Sequence, residues 1–367
     1  MSQLFSPIKL AGLELSNRIV IAPMCQYSSA DGSVTDWHMS HLGMLANSGA
    51  GLLVVEATHV ERHGRITHGC AGLYSDDNEA EMKKVIDHCR RIGTAKLGIQ
   101  LAHAGRKASA QRPWEGGGPL KNGQDAWQTI APSSIPFGEG WHTPKEMSLD
   151  DIKRVQEAFV DSAKRAVRIG FDLIELHYAH GYLAHSFFSP VSNKRTDQYG
   201  SSLENRMRFG RELARTVRAV VPNHIPLGAR LSAMEWRNDS FTPDETVTYT
   251  KALKADGLDF VDCSSGGITA DTRNPTDPGY NVPIAEQVKR EAGIATRVVG
   301  LIVAPDQAEA IVADGKADMV AMARAVLNDP RWGWHAAAAL GTEVQRVNQY
   351  LRVGPKLWAP AAQRART

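Results

Sequence analysis

Four cysteines in 367 residues, Cys25, Cys70, Cys89 and Cys263, are too few and too scattered for a disulfide framework, and they show neither a Cys-x-x-Cys pair nor a zinc-type spacing. Aromatic residues make up only 7% of the chain, and neither sign of charge dominates: 42 Lys and Arg stand against 40 Asp and Glu, a formal charge of +2. Without a strong field or a dense basic cluster, nucleic acid and anionic lipid are not expected partners. Long hydrophobic runs are missing as well. The longest, such as Ala50 to Val55, fall far short of the roughly 18 residues of a membrane span, and the N-terminus lacks the basic and apolar regions of a secretory signal. A cytoplasmic protein without membrane contact is expected, and the Asn238-Asp-Ser240 sequon then has no consequence, because glycosylation requires secretion. No Gly-x-Gly-x-x-Gly follows a strand and no Walker-type loop occurs, so a nucleotide is not held in Rossmann fashion.

What is present is a repeated pattern. Short apolar, often β-branched runs recur at Arg18–Pro23, Gly51–Ala57, Lys96–Ala102, Asp172–Tyr178, Pro226–Ser232, Asp259–Ser264, Arg297–Leu301 and Asp318–Ala323, and amphipathic stretches of helical period lie between them. In one such stretch Ser148 can cap with Asp151, Ile152, Val155, Phe159, Ala163 and Val167 form an apolar stripe, and Gly170 stops the helix. Eight strand–helix units need parallel strands with right-handed crossovers and close most simply as an α/β fold of the (β/α)₈ TIM-barrel type, with a doubly wound open sheet as the rival. Ile8–Ser16, turning at Ala11-Gly12, reads as an N-terminal hairpin that plugs the barrel bottom. Residues 103–147, after the third strand, exceed an ordinary connection. They carry Gly116-Gly117-Gly118, Trp114, Trp127 and Trp141, and read as a lid or pocket wall, or else as a solvent-facing insertion. The expected organisation is one barrel domain over residues 1–340 and a C-terminal tail over 341–367.

Barrel chemistry sits at the C-terminal ends of strands. Those positions hold Ala22-Pro23-Met24-Cys25, Glu56-Ala57, Gln100, His177-x-x-His180-x-Tyr182, Arg230, Ser264-Ser265-Gly266-Gly267, Gly300 and Ala323-Arg324. Gly300 and Arg324 follow strands seven and eight, where barrels often bind phosphate through backbone N–H groups; the alternative is an arginine pairing across the rim. His177 and His180 are spaced for a metal, but the accompanying strand-end residues are Gln100, Arg230 and small residues, and a pocket arginine repels a cation. The pair is better suited to donate two hydrogen bonds to an oxygen that gains negative charge, with Tyr182 near enough to give a proton.

These residues fall in longer strings: Asn17-Arg-Ile19, Ala22-Pro-Met-Cys-Gln-Tyr27, Gln100-Leu-Ala-His-Ala-Gly-Arg-Lys107, Ile174-Glu-Leu-His-Tyr-Ala-His-Gly-Tyr-Leu183, and Ser189-Pro-Val-Ser-Asn-Lys-Arg-Thr-Asp-Gln-Tyr-Gly-Ser-Ser-Leu-Glu-Asn-Arg206. Through them, from Phe5 to about Arg352, the chain resembles the Old Yellow Enzyme family of FMN-dependent ene-reductases, in the xenobiotic-reductase-like branch with a flavin-side cysteine. The resemblance implies FMN across the barrel mouth, contacted by Ala22, Pro23, Met24, Cys25, Ala57, Gln100 and Arg230, with its phosphate at Gly300, Ala323 and Arg324. Ala323 stands where many relatives carry glycine. Gln100 offers both a donor and an acceptor to the pyrimidine edge, and Arg230 supplies positive charge where reduced flavin is anionic.

The activity so implied is FMN-dependent reduction of the activated C=C bond of α,β-unsaturated carbonyl compounds and related xenobiotics, with NADPH or NADH as hydride donor, in two alternating half-reactions at one site. His177 and His180 would hold the carbonyl oxygen, Tyr182 would protonate the α-carbon, and Tyr27 would line the substrate side. In that branch a C-terminal arginine enters the adjacent subunit's pocket; Gln349-Tyr-Leu-Arg352 is similar to that segment, which implies a homodimer or a dimer-based homotetramer. Two alternatives stand beside this reading: a metal-assisted barrel hydrolase using His177 and His180, and a flavin-binding module without catalysis, the latter disfavoured by a complete proton donor and oxyanion pair.

Overall fold

A computed structural model describes residues 2–354, 356–358 and 360. Its eight parallel strands are Ile19–Ile21 (β1), Leu52–His59 (β2), Lys96–Ala102 (β3), Leu173–Tyr178 (β4), Leu227–Ser232 (β5), Phe260–Ser264 (β6), Ala295–Val299 (β7) and Met319–Met322 (β8), and they close into a barrel in chain order. Every residue of β2, β4, β5, β6 and β8 is buried, the condition of strands covered by helices outside and by one another inside. The open-sheet rival is thereby set aside. The helices are α1 (Asp36–Leu45), α2 (Asp76–Ile92), α3 (Leu149–Ile169), α4 (Leu183–Phe188), α5 (Leu203–Arg218), α6 (Pro243–Ala255), α7 (Val282–Ala292), α8 (Pro305–Ala313), α9 (Arg324–Asn328) and α10 (Trp332–Ala339). In α3 the Ser148–Asp151 capping box forms, Ile152, Val155, Phe159 and Ala163 face the core, and Gly170 at φ +95° ends the helix.

Strand ends differ from expectation at several places; the first strand, expected over Arg18–Pro23, covers only Ile19–Ile21. The seventh strand was expected over 297–301 but occupies 295–299, because Gly300 and Leu301 take left-handed φ values of +139° and +49° that end an extended run. The second strand continues past Ala57 to His59, with a register shift between Val55 and Ala57 that leaves Glu56 as the bulged residue.

Inside the barrel, alternation sends every second side chain inward. At the N-terminal end Val20, Leu52, Leu173, Phe260 and Met319 pack with Leu10, Leu13 and Leu15 of the antiparallel hairpin Ile8–Leu10/Leu13–Leu15, which plugs that end. The opposite end holds the polar residues. Residues 103–147 fold over that mouth as turns and a two-strand pairing of Ile130–Ala131 with Lys145–Glu146; Trp127 and Trp141 pack there against a small cluster of Ile66, Cys70, Ala104, Ala108 and Ala110, joined by Cys25, Tyr27 and Tyr182. Among the described residues no helix is long and apolar enough to cross a membrane.

Candidate active site

Above the apolar plug lies a layer of buried charge. Glu175 (β4), Asp262 (β6) and Arg297 (β7) are each fully buried. Arg297 Nη2 donates to Asp262 at 3.0 Å and to Glu175, Gln100 Nε2 donates to Glu175 Oε1 at 2.7 Å, and Arg230 Nε lies 3.3 Å from Asp262 Oδ2. Burial pushes the Glu175 carboxyl up while Arg297 opposes that shift. Arg230 is both an ion-pair partner in the core and a residue facing the cavity at the barrel mouth. The strand-end residues alone do not reveal this charged layer, although residue parity contains it, since Glu175 and Asp262 stand two positions before His177 and Ser264 and share their inward face.

His177 stands next to last in β4, and its Nδ1 accepts the Ala179 N–H at 3.2 Å; the ring proton therefore sits on Nε2, free to be donated. The chain then turns sharply through His180 (φ +60°) and Gly181 (φ +75°). A Cβ on Gly181 would fall 2.1 Å from the Gly267 carbonyl oxygen, so only glycine fits. The strained turn is tied on every side. His180 N–H donates to Ser232 Oγ (2.8 Å), Lys107 Nζ donates to the His180 carbonyl (2.8 Å), and Gly181 N–H donates to His185 Nδ1 (2.8 Å). His185 Nε2 in turn lies 2.8 Å from the buried Glu235. The result brings three rings together edge to face: His177 and His180 with centroids 5.1 Å apart, and Tyr182 at 4.8 Å from His177. His180 Nε2 is 2.8 Å from Ser264 Oγ. Burial, and then the charge of Arg230, hold both imidazoles well below the usual histidine range, so they are neutral at pH 7. Burial, then Cys25 and Tyr27, push the Tyr182 phenol well above 10. Lys107, over the Tyr182 and Phe137 rings at 5.1 and 4.4 Å, is pushed down to about 8 by burial and by Arg106; it was not expected at the site.

The loop after β1 brings Pro23, Met24, Cys25 and Tyr27 to the same mouth. The bulged Glu56 anchors it, accepting Gln26 N–H at 3.0 Å and pairing with His38 Nε2 at 3.1 Å. Burial, then Cys70 and Glu56, raise the Cys25 thiol well above the ordinary cysteine value, so this partly buried side chain is a thiol and not a nucleophilic thiolate. Tyr27 meets Trp114 edge-on at 5.9 Å.

On the opposite side a cavity of about 360 Å³ is lined by His180, Arg230, Ser264, Ser265, Gly300 and Arg324, among others. A Cβ on Gly300 would come 2.9 Å from Asn281 Nδ2 and 3.2 Å from the Tyr280 ring, so this close-packed position with its positive φ suits glycine. Ala323 has a negative φ of −116°, which a methyl tolerates. Arg324 is exposed and has no ion-pair partner among the described residues, and the buried Ser265 Oγ lacks a hydrogen-bond partner.

Residues 3–343 match the NADH:flavin oxidoreductase / NADH oxidase family. The chain belongs to this family. An NADPH dehydrogenase of Geobacillus sp. (strain WCH70) is 43% identical over 96% of this chain and 98% of its own length, and one of Geobacillus thermodenitrificans (strain NG80-2) is 44% identical over 95% and 98%. Among solved structures, morphinone reductase superposes with a TM-score of 0.77 at 26% identity, covering 94% of this chain and 91% of that one. A 2-naphthoyl-CoA reductase complex reaches a TM-score of 0.82 at 24% identity, where this chain spans 52% of the other and the likeness concerns the fold.

This flavin oxidoreductase uses FMN and NAD(P)H, in line with its resemblance to the Old Yellow Enzymes. The residues present fit that cofactor. The unpartnered Ser265 hydroxyl and the unpaired Arg324 would suit a phosphate, and Gln100 and Arg230 would suit a flavin edge that is polar when oxidised and anionic when reduced. The hydrolase alternative is not supported. Among the described residues no three His, Cys, Asp or Glu side chains gather as a metal set, and the family's chemistry is redox. Arg352 is expected in a neighbouring subunit's pocket, not in that of its own chain. Arg352 lies exposed on a short turn (Asn348–Val353), two residues after Tyr350. Tyr350 packs on Trp334 and lines a groove with Asn47, Gly93 and Thr94, the loops that enter β2 and β3. That is the end of the barrel opposite His177. Of the tail, residues 355, 359 and 361–367 lie outside the described residues.

Proposed function

We propose that this oxidoreductase reduces the activated C=C bond of α,β-unsaturated carbonyl compounds and related acceptors. Bound FMN supplies the hydride that it takes from NAD(P)H. The observation that carries the reading is the division of labour at the His177–Tyr182 turn: two neutral imidazoles beside a phenol whose hydroxyl has no hydrogen-bond partner among the described residues. His177 Nε2–H and His180 bind the substrate carbonyl oxygen and stabilise its charge as the β-carbon is reduced, and Tyr182 delivers the proton to the α-carbon. Tyr27 lines the substrate side. Ala22, Pro23, Met24, Cys25, Ala57, Gln100 and Arg230 hold the flavin ring, and Gly300, Ala323 and Arg324 its phosphate.

The same proposal makes residues 1–340 one cytoplasmic flavin domain and the tail from 341 an interface element. A row of exposed apolar residues, Tyr350, Leu351, Val353, Leu357 and Trp358, supports a second copy packing there, with Arg352 completing the neighbour's pocket in a homodimer or dimer-based tetramer. Steady-state NADPH oxidation in the absence of oxygen, screened over cyclic enones, maleimides, nitroalkenes and nitrate esters with product analysis, tests the reaction. Saturated ketone from enone is the expected product. An enzyme whose flavin NADPH reduces but which no activated alkene reoxidises contradicts the reading.

A further inference from the structure

We propose that Asp262, Arg297 and Glu175 are positioning residues that set the reduction potential of the bound flavin, by joining Arg230 to Gln100 through the barrel interior. The inference rests on the reading that Gln100 and Arg230 face the flavin ring. These two residues come from β3 and β5, yet they are the ends of one continuous chain of contacts. Arg230 reaches Asp262 (3.3 Å), Asp262 reaches Arg297 (3.0 Å), Arg297 donates to Glu175, and Glu175 accepts from Gln100 (2.7 Å). Each end is oriented by it. The Gln100 amide nitrogen is committed to Glu175, which leaves the amide oxygen and one N–H for a ligand. Arg230 turns its Nε edge to Asp262 and one terminal nitrogen toward Ser264 at 3.5 Å, so its fork is aimed by neighbours on β6.

Stability does not explain the chain. A fully buried ionic cluster is no better for folding than a well-packed apolar layer of the same volume, and the layer beneath, with Leu173, Phe260 and Met319, is of that apolar kind. Within the cluster Asp262 Oδ1, Arg230 Nε and Arg297 Nε and Nη1 have no hydrogen-bond partner, so Arg230 meets Asp262 as an ion pair at 3.3 Å without a hydrogen bond, and these unmet groups cost stability. What the arrangement does provide is balance. Two guanidiniums face two carboxylates, and removing any one charge leaves an uncompensated unit beside the groups that meet the cofactor, where water cannot screen it. Reduced flavin is anionic, so a surplus positive charge favours it and a surplus negative charge opposes it.

The test is the midpoint potential of purified holoenzyme, read by dye equilibration, together with FMN affinity. Asp262→Asn, which keeps the shape and deletes the negative charge nearest Arg230, should raise the ratio of reduced to oxidised FMN affinity about tenfold, close to 30 mV for a two-electron couple. Glu175→Gln should move it the same way by about threefold. Arg297→Met should move it in the opposite direction, and the double variant Glu175→Gln/Arg297→Met should return it toward wild type. A merely structural cluster would instead lower the melting temperature further in the double variant and leave the potential alone. If Arg297→Met does not fold, the two isosteric variants decide. A wild-type potential in Asp262→Asn, or shifts of one sign in all single variants, overturns the proposal. Arg230→Met separates the layers. Loss of FMN or a lowered potential there, with silent Asp262→Asn, defeats the network alone; bound FMN at an unchanged potential defeats the placement of Arg230 and the network with it.

Discussion

Replacing Tyr182 with phenylalanine removes one hydroxyl and nothing else on which the fold depends. The ring stands 4.8 Å from His177 and beneath the Lys107 ammonium at 5.1 Å, contacts that phenylalanine keeps, and the hydroxyl has no partner among the described residues to be left orphaned. Stability should therefore change by less than about 0.5 kcal/mol. A positioned general acid contributes on the order of 10²–10⁴-fold, so C=C reduction should slow by that factor, about 3–5 kcal/mol of barrier at 1.36 kcal/mol per decade. Flavin reduction by NADPH, which delivers no proton to carbon, should keep its rate. Stopped-flow traces of the two half-reactions under anaerobic conditions separate them.

The pH dependence sharpens the same test. Burial first, then Cys25 and Tyr27, raise the phenol's pKa well above 10; an acid with a raised pKa stays protonated until pH climbs through that value. The wild-type oxidative half-reaction should accordingly show no alkaline fall between about pH 6 and 9. An alkaline limb centred near 8 would instead assign the proton to Lys107, whose ammonium is pushed down to about 8. Equal slowing of both half-reactions by Tyr182→Phe would refute the role of proton donor and leave Tyr182 a binding residue.

His177→Ala and His180→Ala should each weaken binding of a para-substituted phenol, an oxyanion mimic, by about 1.5 kcal/mol or more, the scale of a hydrogen bond to a charged group. Because both imidazoles are held well below the usual histidine range, the loss should be the same at about pH 6 and pH 8, and unchanged titrations in both variants would exclude the pair. Cys25→Ser should shift the flavin midpoint potential and retain turnover, and the raised thiol pKa should make wild-type Cys25 slow to alkylate at about pH 8; an unshifted potential would reduce Cys25 to packing. If Arg352 serves the neighbouring subunit, Arg352→Ala is impaired, and mixed dimers of an Arg352→Ala chain with a His177→Ala chain should exceed both homodimers in activity. A fully active Arg352→Ala would remove it from the site.

The barrel was legible because its strands are buried on both faces and read as apolar runs, while α3 announces itself through the Ser148–Asp151 cap and the Gly170 stop. What a linear reading handles poorly is φ. Nothing in the apolar run Arg297–Leu301 shows that Leu301 turns left-handed after Gly300, so that strand was displaced by two residues. The site was legible where its residues end strands or recur in strings, as His177, His180 and Tyr182 do. It was not legible one step deeper. Glu175, Asp262 and Arg297 hide in the interiors of strands, where a charged residue is read as an exception, and for Glu175 and Asp262 only the parity shared with His177 and Ser264 reveals that they point inward. Lys107 escaped for another reason: its place depends on a carbonyl made available by the left-handed turn at His180, a feature with no local signature.

That turn also explains how one pocket can hold hydrogen-bond donors and an acid without confusing them. A charged imidazolium would be the stronger donor to a developing oxyanion but would also compete to protonate it. Burial and the Arg230 cation keep His177 and His180 neutral, so in the proposed reaction they would stabilise negative charge through N–H dipoles. The same burial acts on Tyr182 in the opposite chemical sense, raising its pKa, so that in the proposed reaction it would keep its proton until a substrate carbon of sufficient basicity forms. Desolvation thus separates the two roles because a base and an acid respond to it with opposite shifts. Any change that admits water to this mouth should therefore weaken both functions together, whereas loss of one side chain should remove only one.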